Sequence, residues 1–330
     1  MIDLLPDAEQ QALIAAVVDF LEHEMPVDRL RPAAGGASIP VQPDRWADFA
    51  ALGWFGVGLP EALGGIGLGV AEEVWIFREL GRHLVTPGVF AAAMAARLAA
   101  AEQPKLAVAI AGGMQRVALA TDTDGTCRLL DAGAADMLLK IDADSLCLFR
   151  SDAFTDRRSV AALDGSVTLE RAALVGVPPL RSDDPVLLRT ARLLLLAQMI
   201  GAAEAALALT VDYAKLREQF GRPIASFQAI KHLCADLAVR AEAAWSATAF
   251  AALVTRADLA GAEFEAATAE IVATSAAVEI TEHCIQLHGG IGFTAECHAH
   301  HFLKRVRLLA ILLGDPRQAR LRLLQRPPPS

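Results

Sequence analysis

Tyr213–His232 reads YAKLREQFGRPIASFQAIKH, and the rest of the chain is best read outward from it. Upstream, residues 185–217 hold an apolar helical period without interruption. Gly221 and Pro223 end that period, because glycine favours turns and proline cannot continue a helix. A second long period begins at Phe227 and runs to Arg256. Arg217 therefore stands just before a helix break, its guanidinium fork presented at a helix end. That geometry suits bidentate contact with a pyrophosphate. Gln228, at the start of the next helix, offers an amide able to pair with an adenine edge.

Toward the C-terminus, 263–288 and 298–313 are two more helical periods. Long helices with short links predict a four-helix bundle over residues 183–325, followed by a disordered tail at 326–330. Between the last two helices Gln286–Glu296 reads QLHGGIGFTAE. Gly289 and Gly290 let the backbone approach a ligand closely, and N–H groups exposed there can bind phosphate or ribose oxygens.

Toward the N-terminus the texture changes. Residues 114–182 hold short apolar runs, at 116–120, 136–141, 145–150 and 166–170, separated by Asp/Gly turns. They predict a small antiparallel sheet domain. Residues 1–113 alternate helical patterns with breaks: a helix from Asp7 to Met25, a loop at Ala33–Pro43, a helix at 45–52, and helices at 71–84 and from Pro87 to Ala101. Gly53–Gly69, GWFGVGLPEALGGIGLG, interrupts them with seven glycines and a proline.

Composition narrows the function. Of 330 residues 54% are apolar and 5% aromatic, a profile of closely packed helices. A net charge of −9 argues against nucleic acid, which needs a basic face, yet leaves room for a few arginines to hold an anionic CoA ester. Five scattered cysteines without a CxxC point to a reducing cytoplasm. The acidic N-terminus does not read as a signal peptide, and the uncharged run 193–203 is too short to span a bilayer. No membrane association is expected.

Three segments in order, the GWFGVGLPEALGGIGLG loop with its following helix, REQFG (217–221) and HGG (288–290), resemble the acyl-CoA dehydrogenase family. The resemblance implies a mainly α fold with an N-terminal helical domain, a shortened β-sheet domain and a C-terminal four-helix bundle. It also implies FAD as cofactor. The adenosine and pyrophosphate half of a flavin held mainly by a neighbouring subunit would be bound by Arg217, Gln219, Phe220, Gln228, Gln286, His288, Gly289 and Gly290. Arg192 falls where the family often has a substrate-facing arginine, and a helix-surface charge is an equal reading. An acyl-CoA substrate and an electron-transfer acceptor follow from the same resemblance.

Two positions break the pattern. The family's base, which takes the α-proton of the thioester, is a glutamate after the GG motif or on the long helix before RxQFG. Ungapped counting places Leu313 at the first position and Ala191 at the second. The sheet region also lacks the tryptophan the family places against the flavin ring; Thr121, Thr123 and Thr126 are its densest hydroxyl cluster. This combination is similar to the non-catalytic member of the α2β2 bacterial enzymes that act on steroid side chains.

Three rivals stay open. In one, a homo-oligomer is active with Asp315 or Glu204 as displaced base. In another, His283, Cys284, His288, Cys297, His298, His300 and His301 hold zinc. In the third, the chain is a structural descendant without ligand. Trp46, Trp54, Trp75 and Trp245 read as packing residues, and Lys304, Arg305 and Arg307 as a solvated or intersubunit face.

Overall fold

The computed structural model describes residues 5–32, 44–123 and 125–325. The loop expected at Ala33–Pro43 and the tail at 326–330 lie outside the described residues. The chain sorts into two compact units, one comprising Pro43–Glu73 and Thr86–Arg192, the other Met1–Gln42, Val74–Val85 and Leu193–Ser330.

The first of these holds a seven-stranded sheet. Its strands are β1 (Val117–Thr123), β2 (Thr126–Leu130), β3 (Met137–Ile141), β4 (Leu146–Arg150), β5 (Phe154–Val160), β6 (Leu169–Leu174) and β7 (Leu180–Ser182), in the order β5-β6-β2-β1-β3-β4-β7. The sheet is mixed, which corrects the antiparallel expectation: β1 and β3 run parallel, Leu119 opposite Leu139. The return path is the short β2 hairpin arm and the turn after it, not a helix. Strands β2, β5 and β7 were not anticipated, because FTDRRSV and TCRLL carry charges on their exposed face and dilute the apolar signal. The run at 166–170 is shifted to 169–174.

Helix α4 (Gly88–Ala100) packs on the sheet and α5 (Pro104–Ala111) against α4, with α2 (Trp46–Ala51) in the same unit; α5, a short helix between Pro104 and Gly112, was missed. Eleven of the thirteen residues of α4 are buried, most of them alanine. Such small side chains let a helix backbone lie close to a sheet, and Ala118, Leu129, Leu138 and Phe149 form the apolar layer of the strands. Asp131, at φ 53°, accepts hydrogen bonds from Thr168 N (2.8 Å) and Thr86 Oγ1 (2.6 Å) and so fixes the turn after β2. In the glycine-rich loop, a Cβ on Gly65 would lie 2.0 Å from the Leu59 carbonyl oxygen, so only glycine allows the loop to fold back on itself there.

The other unit is helical. Its first element, α1 (Ala8–Glu24), starts from Asp7, whose carboxylate accepts from Gln10 N while Gln10 returns the bond to Asp7 N, a capping box. Helix α3 (Val70–Arg82) contributes its residues from Val74 onward, and α6 (Pro185–Leu216) those from Leu193 onward. The two cross at reciprocal glycines: a Cβ on Gly81 would lie 2.1 Å from Gln198 O, and one on Gly201 1.9 Å from Arg78 O. The backbones touch where sequence reading sees only a glycine in an apolar run.

The bundle continues with a small hairpin, β8 (Glu218–Gln219) and β9 (Arg222–Pro223), then α7 (Gln228–Arg256), α8 (Ala262–His288), α9 (Ala299–Leu313) and an unanticipated α10 (Pro316–Leu324). Helices α7 and α8 bury alanine stripes, among them Ala241, Ala244, Ala266, Ala273 and Ala277. Helix α10 is tied to α8 by Arg322, whose Nη2 reaches both carboxylate oxygens of Glu270 at 2.8 Å. Helices α6 and α7 are long and apolar enough to cross a bilayer, but 72% and 50% of their most apolar windows are buried inside the fold. The tryptophans serve packing: Trp46, Trp54 and Trp245 are buried, and Trp75 meets Trp245 edge-on at 4.5 Å.

Candidate functional site

The period ending at Leu216 is broken by a two-residue turn. Gln219 pairs with Arg222, and between them Phe220 and Gly221 both have positive φ, 55° and 76°. Two left-handed residues in succession make a tight hairpin turn whose twist matches its strands. The turn closes because Ile224 N donates to Arg217 O at 2.8 Å. Arg222 lies over the Phe227 ring at 4.2 Å, and Phe220 meets the same ring edge-on at 6.1 Å. The break expected at Gly221 and Pro223 is thus an ordered hairpin.

On this hairpin Arg217 is exposed and forms no ion pair among the described residues, and Gln219 only returns an amide bond to the Glu218 carbonyl (2.8 Å). Phe220 is 93% exposed, a large apolar group held out by a strained backbone. Gln228 is exposed in the first turn of α7.

The second segment comes to the same place through Tyr213. Its ring stacks on His288 with centroids 4.5 Å apart, and its hydroxyl donates to His288 O at 3.4 Å. His288 is buried, with Nδ1–H donating to Cys284 O at 2.8 Å. Just beyond it the chain leaves α8 through Gly289, at φ 64° and ψ −142°, a conformation that only glycine adopts without strain. Open space surrounds the Cα of both Gly289 and Gly290, where no atom lies within 4 Å of a built Cβ. Gly292 is the opposite case, where an added Cβ would lie 2.7 Å from Ile285 O. Gln286 is exposed one turn before. Arg217 and Gly289 are therefore anchored by residues that touch, Tyr213 and His288. Neither Tyr213 nor the hairpin's positive φ angles were singled out beforehand, although an FG pair between polar residues is a legible turn signal.

These residues fit a dinucleotide phosphate. A guanidinium with no ion pair among the described residues, exposed side-chain amides at 219, 228 and 286, and a glycine pair with open space where a Cβ would stand are a donor set suited to anions and ribose hydroxyls.

The positions expected to carry a base do not. Leu313 is half-buried at the end of α9, and Ala191 is buried in α6. Asp315 caps α10, its carboxylate accepting from Arg317 N at 2.9 Å. Glu204 accepts from Arg78 at 2.6 and 2.8 Å and from Arg82 at 2.6 Å. Arg192 is half-buried in the third turn of α6, and Thr121 is buried in β1.

The histidine-rich segment is organised differently from a metal centre. His298 Nε2 lies 2.7 Å from Asp28 Oδ1, His300 and His301 rings lie 4.0 Å apart, and burial pushes the Cys284 thiol up to about 12. Among the described residues no group of three or more His, Cys, Asp and Glu side chains is placed to hold a metal ion. Arg305 corrects the expectation of a solvated basic run: it is 1% exposed and donates to Val85 O at 2.5 Å. Arg307 is exposed and pairs with Glu282.

Comparison with known proteins agrees with this geometry. The chain matches the family models "Acyl-CoA dehydrogenase, C-terminal domain" over residues 186–326 and "Acyl-CoA dehydrogenase, N-terminal domain" over residues 7–104. It is 40% identical over 268 residues to acyl-CoA dehydrogenase IpdE2 of Mycobacterium tuberculosis, covering 80% of each chain. It is 36% identical to acyl-CoA dehydrogenase FadE34 of the same organism, over 82% of this chain and 41% of that relative. Among solved structures it resembles the ChsE4-ChsE5 complex from M. tuberculosis (TM-score 0.81, 22% identity, 99% and 100% of the two chains). It also resembles the Tcur3481-Tcur3483 steroid ACAD G363A variant (0.78, 25%, 96% and 97%). A third likeness is to a glutaryl-CoA dehydrogenase from Mycobacterium smegmatis in complex with FADH2 (0.77, 18%, 98% and 95%). The fold, the ordered motifs and these relatives together establish that the chain belongs to the acyl-CoA dehydrogenase family of FAD-dependent oxidoreductases.

Proposed function

We propose that this chain is the subunit of a heteromeric acyl-CoA dehydrogenase that completes the adenine side of a shared FAD site and supplies no catalytic base. Arg217 would hold the pyrophosphate, Gln228 and Gln286 the adenosine edge, and the Gly289–Gly290 amides the phosphate or ribose oxygens, with Gln219, Phe220 and His288 shaping the site. The chemistry FAD supplies when bound is acceptance of a hydride from the acyl β-carbon as a carboxylate takes the α-proton. The observation that carries the reading is the pairing of an intact, outward-facing half-site with Leu313 and Ala191 where a carboxylate is needed. Asp315 and Glu204 are both held by structural partners, which weighs against either as a displaced base.

Exposed Leu216, Phe220 and Phe293, at 81%, 93% and 76%, support a neighbouring chain over this face. Two solved relatives are named as two-component assemblies, and more than half of FadE34 lies outside its match, room for a second half of similar size. The reading retains a division into an N-terminal helical domain (1–113), a β domain (114–182) and a bundle (183–325). It places Arg192 toward an acyl-CoA, names an electron-transfer protein as acceptor, and sets the enzyme in the cytoplasm.

The test is the visible spectrum and native mass of the chain purified alone and after co-expression with a second dehydrogenase-like subunit. A colourless chain that turns yellow only in the hetero-oligomer supports the shared site. A yellow homo-oligomer that turns over an acyl-CoA overturns it.

A further inference from the structure

The seven-stranded sheet carries a row of three arginines that the flavin half-site does not use. Arg128 on β2 lies directly opposite Arg171 on β6, and Arg171 lies directly opposite Arg158 on β5. Residues paired in this way share one face of a sheet. The row continues into β1 at Thr121, the partner of Arg128 on its other side. Neighbouring strands lie about 4.8 Å apart, so the three arginines are spread over roughly 10 Å. Arg158 and Arg171 are exposed and Arg128 is half-buried.

Like charges set directly opposite one another destabilise a strand pair, so the row calls for a counter-charge. The chain does not provide it: among the described residues Arg128, Arg158 and Arg171 form no ion pair. Other arginines of the same strands are committed, Arg157 to Glu170 at 2.6 and 3.1 Å and Arg150 to Asp152 at 3.3 Å. The adjoining rows on the same face hold no carboxylate either. On one side stand Leu119, Leu130, Leu169 and Val160, and on the other Thr126, Ala173 and Thr155. Leu169 and Val160 are half-buried and form an apolar strip beside the charges.

This pattern selects the ligand. A single carboxylate would answer one guanidinium and leave two opposed. Guanidinium forks bind phosphate bidentately, and three in line answer several phosphates carried by one molecule. The apolar strip offers a base a surface to lie on. A nucleotide phosphorylated at two positions meets both demands. CoA, the carrier of this family's substrates, is such a nucleotide, with a diphosphate on one side of its ribose and a third phosphate on the other. We propose, resting on the acyl-CoA substrate of the reading above, that the row Arg128, Arg171 and Arg158 binds the phosphorylated nucleotide end of that thioester.

Coenzyme A, 3′-dephospho-coenzyme A, pantetheine and inorganic phosphate are titrated calorimetrically into the full chain, alone and with its second subunit. Coenzyme A is expected to bind tightest, the dephospho form about ten-fold more weakly for one lost charged contact, and pantetheine not at all. Arg171→Gln, in the middle of the row, weakens coenzyme A at least about ten-fold and raises the melting temperature of the unliganded chain, since it relieves both like-charge contacts. Arg128→Gln and Arg158→Gln weaken it as well, and Arg181→Gln, on β7 at the opposite edge of the sheet, leaves it unchanged. A merely solvated face would show the change in stability without the change in affinity, and that result overturns the site. Absence of saturable coenzyme A binding, inorganic phosphate binding as tightly as coenzyme A, or displacement of coenzyme A by FAD overturns it too. In the complex the Arg171→Gln loss persists; a loss confined to the isolated chain marks the face as a contact between chains and overturns the assignment. Flavin content, recorded on the same samples, stays unchanged in Arg171→Gln, so failure here is separable from failure of the shared-flavin reading.

Discussion

The phenol of Tyr213 lies on the imidazole of His288, with planes 23° apart, and joins the end of α6 to the end of α8. Because Arg217 hangs one turn after Tyr213 and Gly289 follows His288, this stack sets the spacing of the two segments proposed to hold the flavin's phosphates. Tyr213→Ala is expected to lower the flavin content of the assembled complex and to cost about 1 kcal/mol beyond lost burial, the worth of one aromatic pair. Tyr213→Phe keeps the ring and is expected to retain flavin. Absorbance at the flavin bands, normalised to protein, checks both.

Arg217 separates affinity from stability. It is exposed and makes no ion pair among the described residues, so Arg217→Gln is expected to leave the melting temperature of the chain unchanged. A charged hydrogen bond lost to the pyrophosphate would weaken flavin binding at least about ten-fold. Equilibrium dialysis of FAD against the complex reads the second quantity.

Glu204 separates a displaced base from a structural acid. Its carboxylate is bound by Arg78 and Arg82, with side chains 12%, 17% and 34% exposed. Glu204→Gln takes the counter-charge from the shielded Arg78 and leaves Arg82 only its Glu79 partner at 3.6 Å, and is expected to cost about 2–4 kcal/mol in chemical denaturation. Turnover per bound flavin in the complex should not change. A loss of turnover greater than the loss of folded protein would make Glu204 the base.

Glu73 gives the fold a pH signature. It is fully buried beside Arg97, and burial raises its carboxyl to about 7 against a reference of 4.5, with the Arg97 charge opposing. A raised acid means that the folded state binds the extra proton between these two values, so stability is highest below about pH 4.5 and declines as pH climbs through 7. The contribution of this one group spans roughly 3 kcal/mol. Denaturant midpoints of the native chain and Glu73→Gln, measured from pH 5 to 8, should differ in slope, the variant being the flatter.

Gly81 and Gly201 test the helix crossing. Gly201→Ala places a methyl carbon 1.9 Å from Arg78 O, a clash with backbone that no rotamer relieves. The expected penalty is about 1–3 kcal/mol, more if the helices separate, whereas Gly125→Ala meets no atom and is limited by its φ of 72°. Thermal unfolding of the two variants distinguishes packing from backbone strain.

Much of the architecture was legible in advance because it rests on local signals. Asp7 capping α1, the glycine and proline that end α6, and the long apolar periods of α7, α8 and α9 all act within one or two turns of chain. The strand assignments were poorer. β1 and β3 are flanked by clear turns, while β5 has arginines facing out and bends at an irregularity between Thr155 and Arg158. The antiparallel reading of the sheet failed for a related reason: pairing direction depends on which strands meet, and nothing local records that β1 lies beside β3.

By itself the sequence determined the order of helical and strand regions, the positions of REQFG and HGG, and the absence of a carboxylate at 313 and 191, because composition and periodicity are properties of neighbouring residues. Only the tertiary structure decided which residues meet across the chain. It set Tyr213 on His288, enclosed Arg305 that looked solvated, and gave Glu204 to two arginines 126 and 122 residues away. Burial and partner choice depend on packing between distant segments, and helical periodicity specifies a face without naming what covers it.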